Sequence, residues 1–421
     1  MPRRKPELLS PASDATCLRA AIDAGCDAVY LGLKDFSMRR SAANFSLPAL
    51  RRASELCRSR DVKLYLTVNT QIYQHELRRL DARLAAVADL VDAVICWDPA
   101  VIEACRRHDI AMHISTQASV ANAAAARFYR ALGATRIIPA RECTLPELQR
   151  LRRQAGIEIE VFAHGAMCVS VSGRCYLSQD SYGKSGNRGE CRQNCRRPFR
   201  VVCSDGDGDY EVEDHYLFSA KDLCTLPFLE QLLDAGVDAL KIEGRNRPAD
   251  YVACITSAYR QAIDAWARGT LNQELKAALV EQCRSVFNRD FSSGFFLGRP
   301  ITEFTDTDGS KATEQKERVG KVINYYRKAA VAHIWVQNYS IAEGDQILIM
   351  GPSTGVVKQV ARNIRCQNDP TRNPPQTVTI ALDRVVRAND EVFRLVPRST
   401  SPRQSPCRPP ETASKESPCT L

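Results

Sequence analysis

The chain has 421 residues, with 58 Lys+Arg against 49 Asp+Glu for a formal charge of +9, 44% hydrophobic and 25% charged residues, and 17 Cys. This is ordinary globular composition, which excludes disorder, collagen-like repeats and coiled coil as the main architecture and suits one large domain with one small one. No apolar run is long enough to span a membrane and no apolar stretch follows the charges of the N-terminus, so a cytoplasmic protein is expected, its thiols serving as core residues, metal ligands or nucleophiles rather than disulfides.

Along the chain, short β-branched or apolar runs alternate with segments of helical period, the pattern of repeated βα units. The runs predict strands over 7–10, 28–33, 63–69, 93–97, 111–115, 136–140, 158–163 and 238–243, with helices over 47–58, 76–88, 121–132 and 145–154 among those between them. Eight such strands are what a closed (β/α)8 TIM-barrel-like domain needs. It is placed over 1–316. An insertion of about 70 residues, roughly 165–235, separates the seventh strand from the eighth and far exceeds an ordinary connection. After the eighth strand, helices are expected over 248–268 and 273–286. Alternating runs with Gly-Asp and Gly-Pro turns then predict a small C-terminal antiparallel β-barrel domain over 317–396. The end of the chain, 397–421, carries six Pro and five Ser and reads as a disordered tail.

Active sites in such barrels gather at the C-terminal ends of the strands. The residues there form a polar, mixed-charge set: Ser10, Lys34, Asn69, Asp98, Ser115, Gln117, Arg141, Glu142, His164, Glu243 and Arg245. Ser10 and Asp98, each followed by Pro, suit helix caps. Lys241, Glu243 and Arg245 alternate and therefore project to one face, with Lys241 and Glu243 pointing into the barrel, as a salt bridge or as catalytic groups. His164 is a candidate catalytic or structural histidine.

The insertion holds the cysteines that cluster. Cys168, Cys175, Cys191 and Cys195 are spaced Cys-x6-Cys-x15-Cys-x3-Cys, and four thiolates can hold a tetrahedral zinc or an iron–sulfur cluster. The spacing lacks the tight knuckles of structural zinc, and Arg174, Arg188, Arg192 and Arg196 would offset a cluster's negative charge, so iron–sulfur ranks first, zinc second and unliganded thiols third. Lys184, Arg188, Arg192, Arg196, Arg197 and Arg200 make this a basic stretch, suited to RNA phosphates or simply to solvent. Tyr176, Tyr182 and Phe199 within it suit either base stacking or packing.

Glu160-x-Phe162-x-x-Gly165-Ala-Met-Cys168-x6-Cys175-x-Leu-Ser178 is similar to the signature of the collagenase-like peptidase family, unknown-type family 32. Ser-Ala-Lys221-Asp222-Leu, Lys241-Ile-Glu243-Gly-Arg245 and Glu7-Leu-Leu-Ser-Pro-Ala12 extend the resemblance to about residue 397. The resemblance implies an oxygen-independent hydroxylase with a [4Fe-4S] cluster on Cys168, Cys175, Cys191 and Cys195. Its branches act on a tRNA wobble uridine using prephenate, on a ribosomal RNA cytidine, or on the ubiquinone ring; peptidase is the older label. Length and the ending in a small β domain favour the tRNA branch. Tyr30-Leu-Gly-Leu-Lys34-Asp35 looks more like the quinone branch. On this reading tRNA is the partner, Arg141, Arg245 and Gln117 hold a carboxylate cosubstrate, and His164, Lys241 and Glu243 are the catalytic candidates. A peptidase would instead pair Cys168 with His164, an assignment that cluster ligation of Cys168 forbids.

Overall fold

A computed structural model describes residues 4–40, 42–204, 209–300, 303–307, 309–367 and 377–398, with the backbone alone described over 200–204 and 209–215. The first repeat is strand β1 (Glu7–Pro11) and helix α1 (Ala15–Asp23), followed by β2 (Ala28–Gly32), α2 (Leu47–Arg58), β3 (Lys63–Val68) and α3 (Leu77–Ala85). Then come β4 (Ala93–Cys96), α4 (Pro99–Arg107), β5 (Met112–Ile114), α5 (Ala123–Ala131), β6 (Ala134–Ile137), α6 (Leu145–Ala155) and β7 (Glu158–Ala166). The insertion contributes α7 (Leu177–Tyr182), the hairpin β8 (Phe199–Ser204) and β9 (Asp209–His215), and β10 (Asp222–Cys224). After α8 (Leu229–Asp234), strand β11 (Ala239–Ile242) pairs in parallel with both β7 and β1 and closes an eight-stranded parallel barrel.

Helix starts follow local chemistry. Asp14, Ser46, Asp98 and Asn122 each accept a backbone N–H of the turn they open, and Thr144 with Glu147 forms a capping box on α6. Asp98 is thus the cap its Pro99 suggested. Ser10 is not: it is buried within β1, its hydroxyl 2.8 Å from that of Thr256, and Asp14 caps the helix instead.

The apolar layer between strands and helices forms the main core, while Leu9, Tyr30, Tyr65, Ile95 and Ile138 fill the barrel interior. Tyr251 and Tyr259 anchor α9 (Ala249–Arg268) against the barrel wall, and α10 (Gln273–Arg284) packs on α9. The short β12 (Phe291–Ser292) pairs with β10, which in turn runs antiparallel along the end of β7 and thickens the barrel rim there.

The remaining strands, β13 (Glu314–Tyr326), β14 (Val331–Val336), β15 (Gln346–Gly351), β16 (Gly355–Val360), β17 (Arg365–Gln367), β18 (Thr377–Ala381) and β19 (Glu391–Pro397), make one antiparallel sheet of order β16-β15-β19-β13-β14-β18-β17. Its core is separate from that of the barrel. The sheet curls until Gln359 Nε2 donates to the Ala381 carbonyl at 2.9 Å and the Ala381 N–H donates to Arg362 at 3.2 Å, joining its two sides. β16 packs on α1 and α9, and Lys316 and Arg384 bridge to Asp250 and Asp23 of those helices. The expected tail lies, from residue 399 on, outside the described residues.

Candidate active site at the barrel mouth

Period-two alternation along β7 and β11 turns Glu160, Phe162 and Lys241 into the barrel. Lys241 Nζ stands 2.8 Å from Glu160 Oε1, with side-chain exposures of 5% and 0%. The other Glu160 oxygen accepts from Arg136 at 3.1 Å, and Arg136 continues to Glu7 at 2.6 Å and Glu158 at 2.8 Å. Burial pushes the Glu160 carboxyl up, but Lys241 and Arg136 outweigh it and hold the group below the ordinary carboxylate value. An ionic column therefore rises through the barrel and ends in an ammonium 4.5 Å from the Tyr30 ring centre.

Above it lies a narrow cleft lined by Tyr30, Arg39, Asn69, Gln117, Arg141, Phe162, Cys168, Lys241, Glu243 and Arg245, among others. Arg39 reaches Glu243 at 3.4 Å. Burial raises the Glu243 carboxyl, and Arg39, Arg141, Arg245 and Lys241 together pull it below the ordinary value. Arg245 is almost wholly buried and donates to Ser37 at 2.6 Å, to Thr67 at 2.9 Å and to Asn44. Arg141 donates to the Ala166 carbonyl at 2.7 Å and stacks 3.9 Å over Phe162. Among the described residues neither of these two arginines forms an ion pair, and the Nε of each is buried without a hydrogen-bond partner. Burial pulls the Arg245 guanidinium down to about 10, which leaves it charged at neutral pH. Four cations thus face two carboxylates, one of which is shared with Arg136 below. Such a mouth favours an anionic ligand.

The insertion is fastened over this mouth. The Arg40 N–H donates to the Gly189 carbonyl and the Gln71 N–H to the Asn187 carbonyl, Arg188 pairs with Glu76 at 2.7 Å, and Glu142 holds both the N–H and the hydroxyl of Ser172. Gly189 has φ +86°, and a Cβ there would stand 2.2 Å from the Ser37 carbonyl, so only glycine fits this approach. The buried side chain of Asn194 ties α7 to the last cysteine turn through Leu177, Ser178 and Ser181.

Cys168, Cys175, Cys191 and Cys195 are free thiols. Burial raises the Cys195 thiol, Arg196 opposes it, and the nearby Cys168, Cys191 and Cys175 add to the rise, so the four act on one another. The Leu177 N–H donates to Cys175 Sγ at 3.3 Å. Among the described residues no three His, Cys, Asp or Glu side chains close on a common point that would hold a metal ion. The thiols are neighbours at the rim, and Cys168 alone also lines the cleft.

The model of peptidase family U32 matches residues 13–306. The chain belongs to peptidase family U32. It is 37% identical over 403 residues to a collagenase of Porphyromonas gingivalis, covering 92% of this chain and 97% of that one. To a tRNA hydroxylation protein of Bacillus subtilis it is 32% identical over 394 residues, covering 91% and 93%. To a 23S rRNA 5-hydroxycytidine synthase of Escherichia coli it is 38% identical over 260 residues, covering 62% of this chain and 39% of that one. No described helix of this U32 chain is long and apolar enough to cross a membrane.

The U32 cleft brings together Lys241, Glu243, Arg141, Arg245, Gln117 and Cys168 from the sequence reading, and places Cys175, Cys191 and Cys195 in the adjoining insertion. His164 is not among them. A register shift pairs Lys241 with Phe162 but Ile242 with His164, one extra residue on β7 that reverses its alternation. The imidazole consequently faces outward, 5.6 Å from the Tyr259 ring and 5.3 Å from that of Phe291. Burial, with a smaller push from Arg247, lowers it to about 3, so it is a neutral core group away from the cleft. Arg39, which reaches Glu243, escaped the sequence reading because it lies in the irregular β2–α2 connection; its adjacency to Arg40 was the available signal.

Proposed function

We propose that the chain is an oxygen-independent RNA hydroxylase carrying a [4Fe-4S] cluster on Cys168, Cys175, Cys191 and Cys195, with a tRNA wobble uridine as substrate and a prephenate-like carboxylate as cosubstrate. The observation that carries the reading is Cys168 in the same cleft wall as the uncompensated cations Arg141 and Arg245. An all-thiol donor set from one insertion, with a backbone N–H already aimed at Cys175 Sγ and arginines alongside, fits such a cluster chemically. The relatives named for tRNA hydroxylation and ribosomal hydroxycytidine synthesis support RNA as the substrate class.

When bound, a cluster would supply redox and Lewis-acid chemistry at the rim of the cleft. The chain itself does the positioning. Arg141 and Arg245 would hold carboxylate oxygens, their buried Nε groups being the donors that lack partners. The Phe162 and Tyr30 rings flank the cosubstrate. Lys241, paired with Glu160 and pointed upward by it, stands where negative charge would develop, and Glu243 is the carboxylate able to accept a proton at the mouth. Hydrolysis through Cys168 would need an adjacent base. His164, the histidine suggested by spacing, lies behind the barrel wall.

The test is iron and acid-labile sulfide content with a visible spectrum on protein purified without oxygen, followed by nucleoside analysis of tRNA from cells with and without the gene. About four irons per chain, lost in Cys168→Ala, are expected. Colourless, iron-free protein with one hyper-reactive Cys168 would overturn the reading in favour of the peptidase.

A further inference from the structure

Three tyrosines stand out beside the mouth, where the insertion meets the connection between β3 and α3. Tyr73, Tyr176 and Tyr182 are 45%, 77% and 44% exposed, although aromatic rings of this size usually find cover. Two of them already carry a guanidinium: Arg188 lies 4.5 Å from the Tyr73 ring and Arg197 lies 5.8 Å from that of Tyr182. Glu76 engages Arg188 at 2.7 and 2.9 Å, which fixes that stack. The three are also tied to one another. Arg188 follows Asn187, whose side chain accepts from the Cys175 N–H just before Tyr176, and Asn194 clamps the helix that ends in Tyr182. Around them Arg174, Lys184, Arg192 and Arg197 are exposed, and among the described residues none forms an ion pair with a carboxylate.

Unpaired like charges repel one another and are stabilised by a polyanion, and fixed, exposed rings are stabilised by flat partners. Duplex bases are stacked on each other and offer no free face, whereas unpaired bases do. We infer that this face is a platform for single-stranded RNA, with bases stacking on Tyr73, Tyr176 and Tyr182 and phosphates meeting Arg174, Lys184, Arg192 and Arg197. The inference rests on the RNA reading above and adds where, and in what conformation, the substrate is gripped.

Fluorescence anisotropy of the anaerobically purified holoprotein with a labelled oligouridine, and with an RNA duplex of equal length, tests it. The single strand is expected to bind at least about tenfold more tightly than the duplex. Each of Tyr73→Ala, Tyr176→Ala and Tyr182→Ala should weaken it by about 5- to 100-fold, with the matching Tyr→Phe variants near wild type. Iron content measured on the same samples controls for damage to the insertion. Equal or tighter duplex binding, or indifference to all three alanine variants in protein that still binds RNA, would overturn the platform while leaving the hydroxylase reading intact. RNA binding through the tyrosines without any hydroxylated nucleoside would uphold the platform and remove the hydroxylase. No RNA binding by cluster-loaded protein would remove both.

Discussion

Replacing Glu160 by Gln tests whether the ionic column inside the barrel is a balanced assembly. At an effective dielectric of about 20, contacts of 2.8 and 3.1 Å correspond to about 5–6 kcal/mol of attraction each, most of it offset by taking the ions out of water. What the variant exposes is the imbalance. Arg136 keeps Glu7 and Glu158, but Lys241, 4% exposed, has no other carboxylate within ion-pair distance among the described residues. An orphaned buried ammonium costs about 3–5 kcal/mol, a fall of roughly 5–10 °C in melting temperature for a domain of this size. Urea unfolding at pH 7 followed by circular dichroism measures it, and adding Lys241→Met should restore all but about 1–2 kcal/mol. Because the folded pKa of Glu160 lies below its ordinary 4.5, its contribution is complete at neutral pH and disappears only as the pH falls below that value toward the folded one. A single variant within about 1 kcal/mol of wild type, or a double variant no better than the single, would refute the argument.

His164 is held neutral, with its pKa lowered from 6.5 to about 3, so the unfolded chain gains a proton first as the pH drops. Between pH 7 and pH 5 this group alone should remove about 2 kcal/mol of stability, and His164→Phe should flatten that part of the acid limb in paired urea titrations while leaving turnover within about threefold. Arg141→Gln should raise the dissociation constant of the carboxylate cosubstrate by about 10- to 100-fold in calorimetry, and an unchanged constant would remove Arg141 from the binding site. Gly189→Ala forces a Cβ against the Ser37 carbonyl at a positive φ, so limited proteolysis should cut within 167–221 while the barrel melts as before. An equally resistant insertion would show that this approach does not fasten it.

The barrel was legible because its strands are short apolar runs and amphipathic helices follow most of them, some opened by a plain cap, as with Asp98-Pro99 and α4 or Thr144 and α6. The inward direction of Lys241 followed from alternation alone. His164, chosen for its place at a strand end, turns away from the cleft because an extra residue enters β7, and no local signal marks that shift between 241 and 242. The antiparallel β10 was missed because three residues carry too little periodicity to register. Arg39 sits in a loop whose shape is set by distant partners, Gly189 and Glu243, and no window around it contains them. The cysteine spacing was plain in sequence, whereas their placement beside the cleft depends on clamps from three separate barrel loops.

Closure of the barrel has a kinetic side. β1 is synthesised well before the strand that covers its free edge, β11, which is not complete until residue 242 has left the ribosome. At about 5–20 residues per second, that edge waits roughly 10–50 s with its backbone donors and acceptors open to other chains. The C-terminal sheet, made later still, then settles through β16 on α1 and α9, the helices on either side of the β1–β11 seam. The C-terminal sheet therefore acts as a latch applied after the ring is complete, and loosening it at Arg384 or Lys316 would be felt first as slower, more aggregation-prone maturation rather than as a change at the mouth.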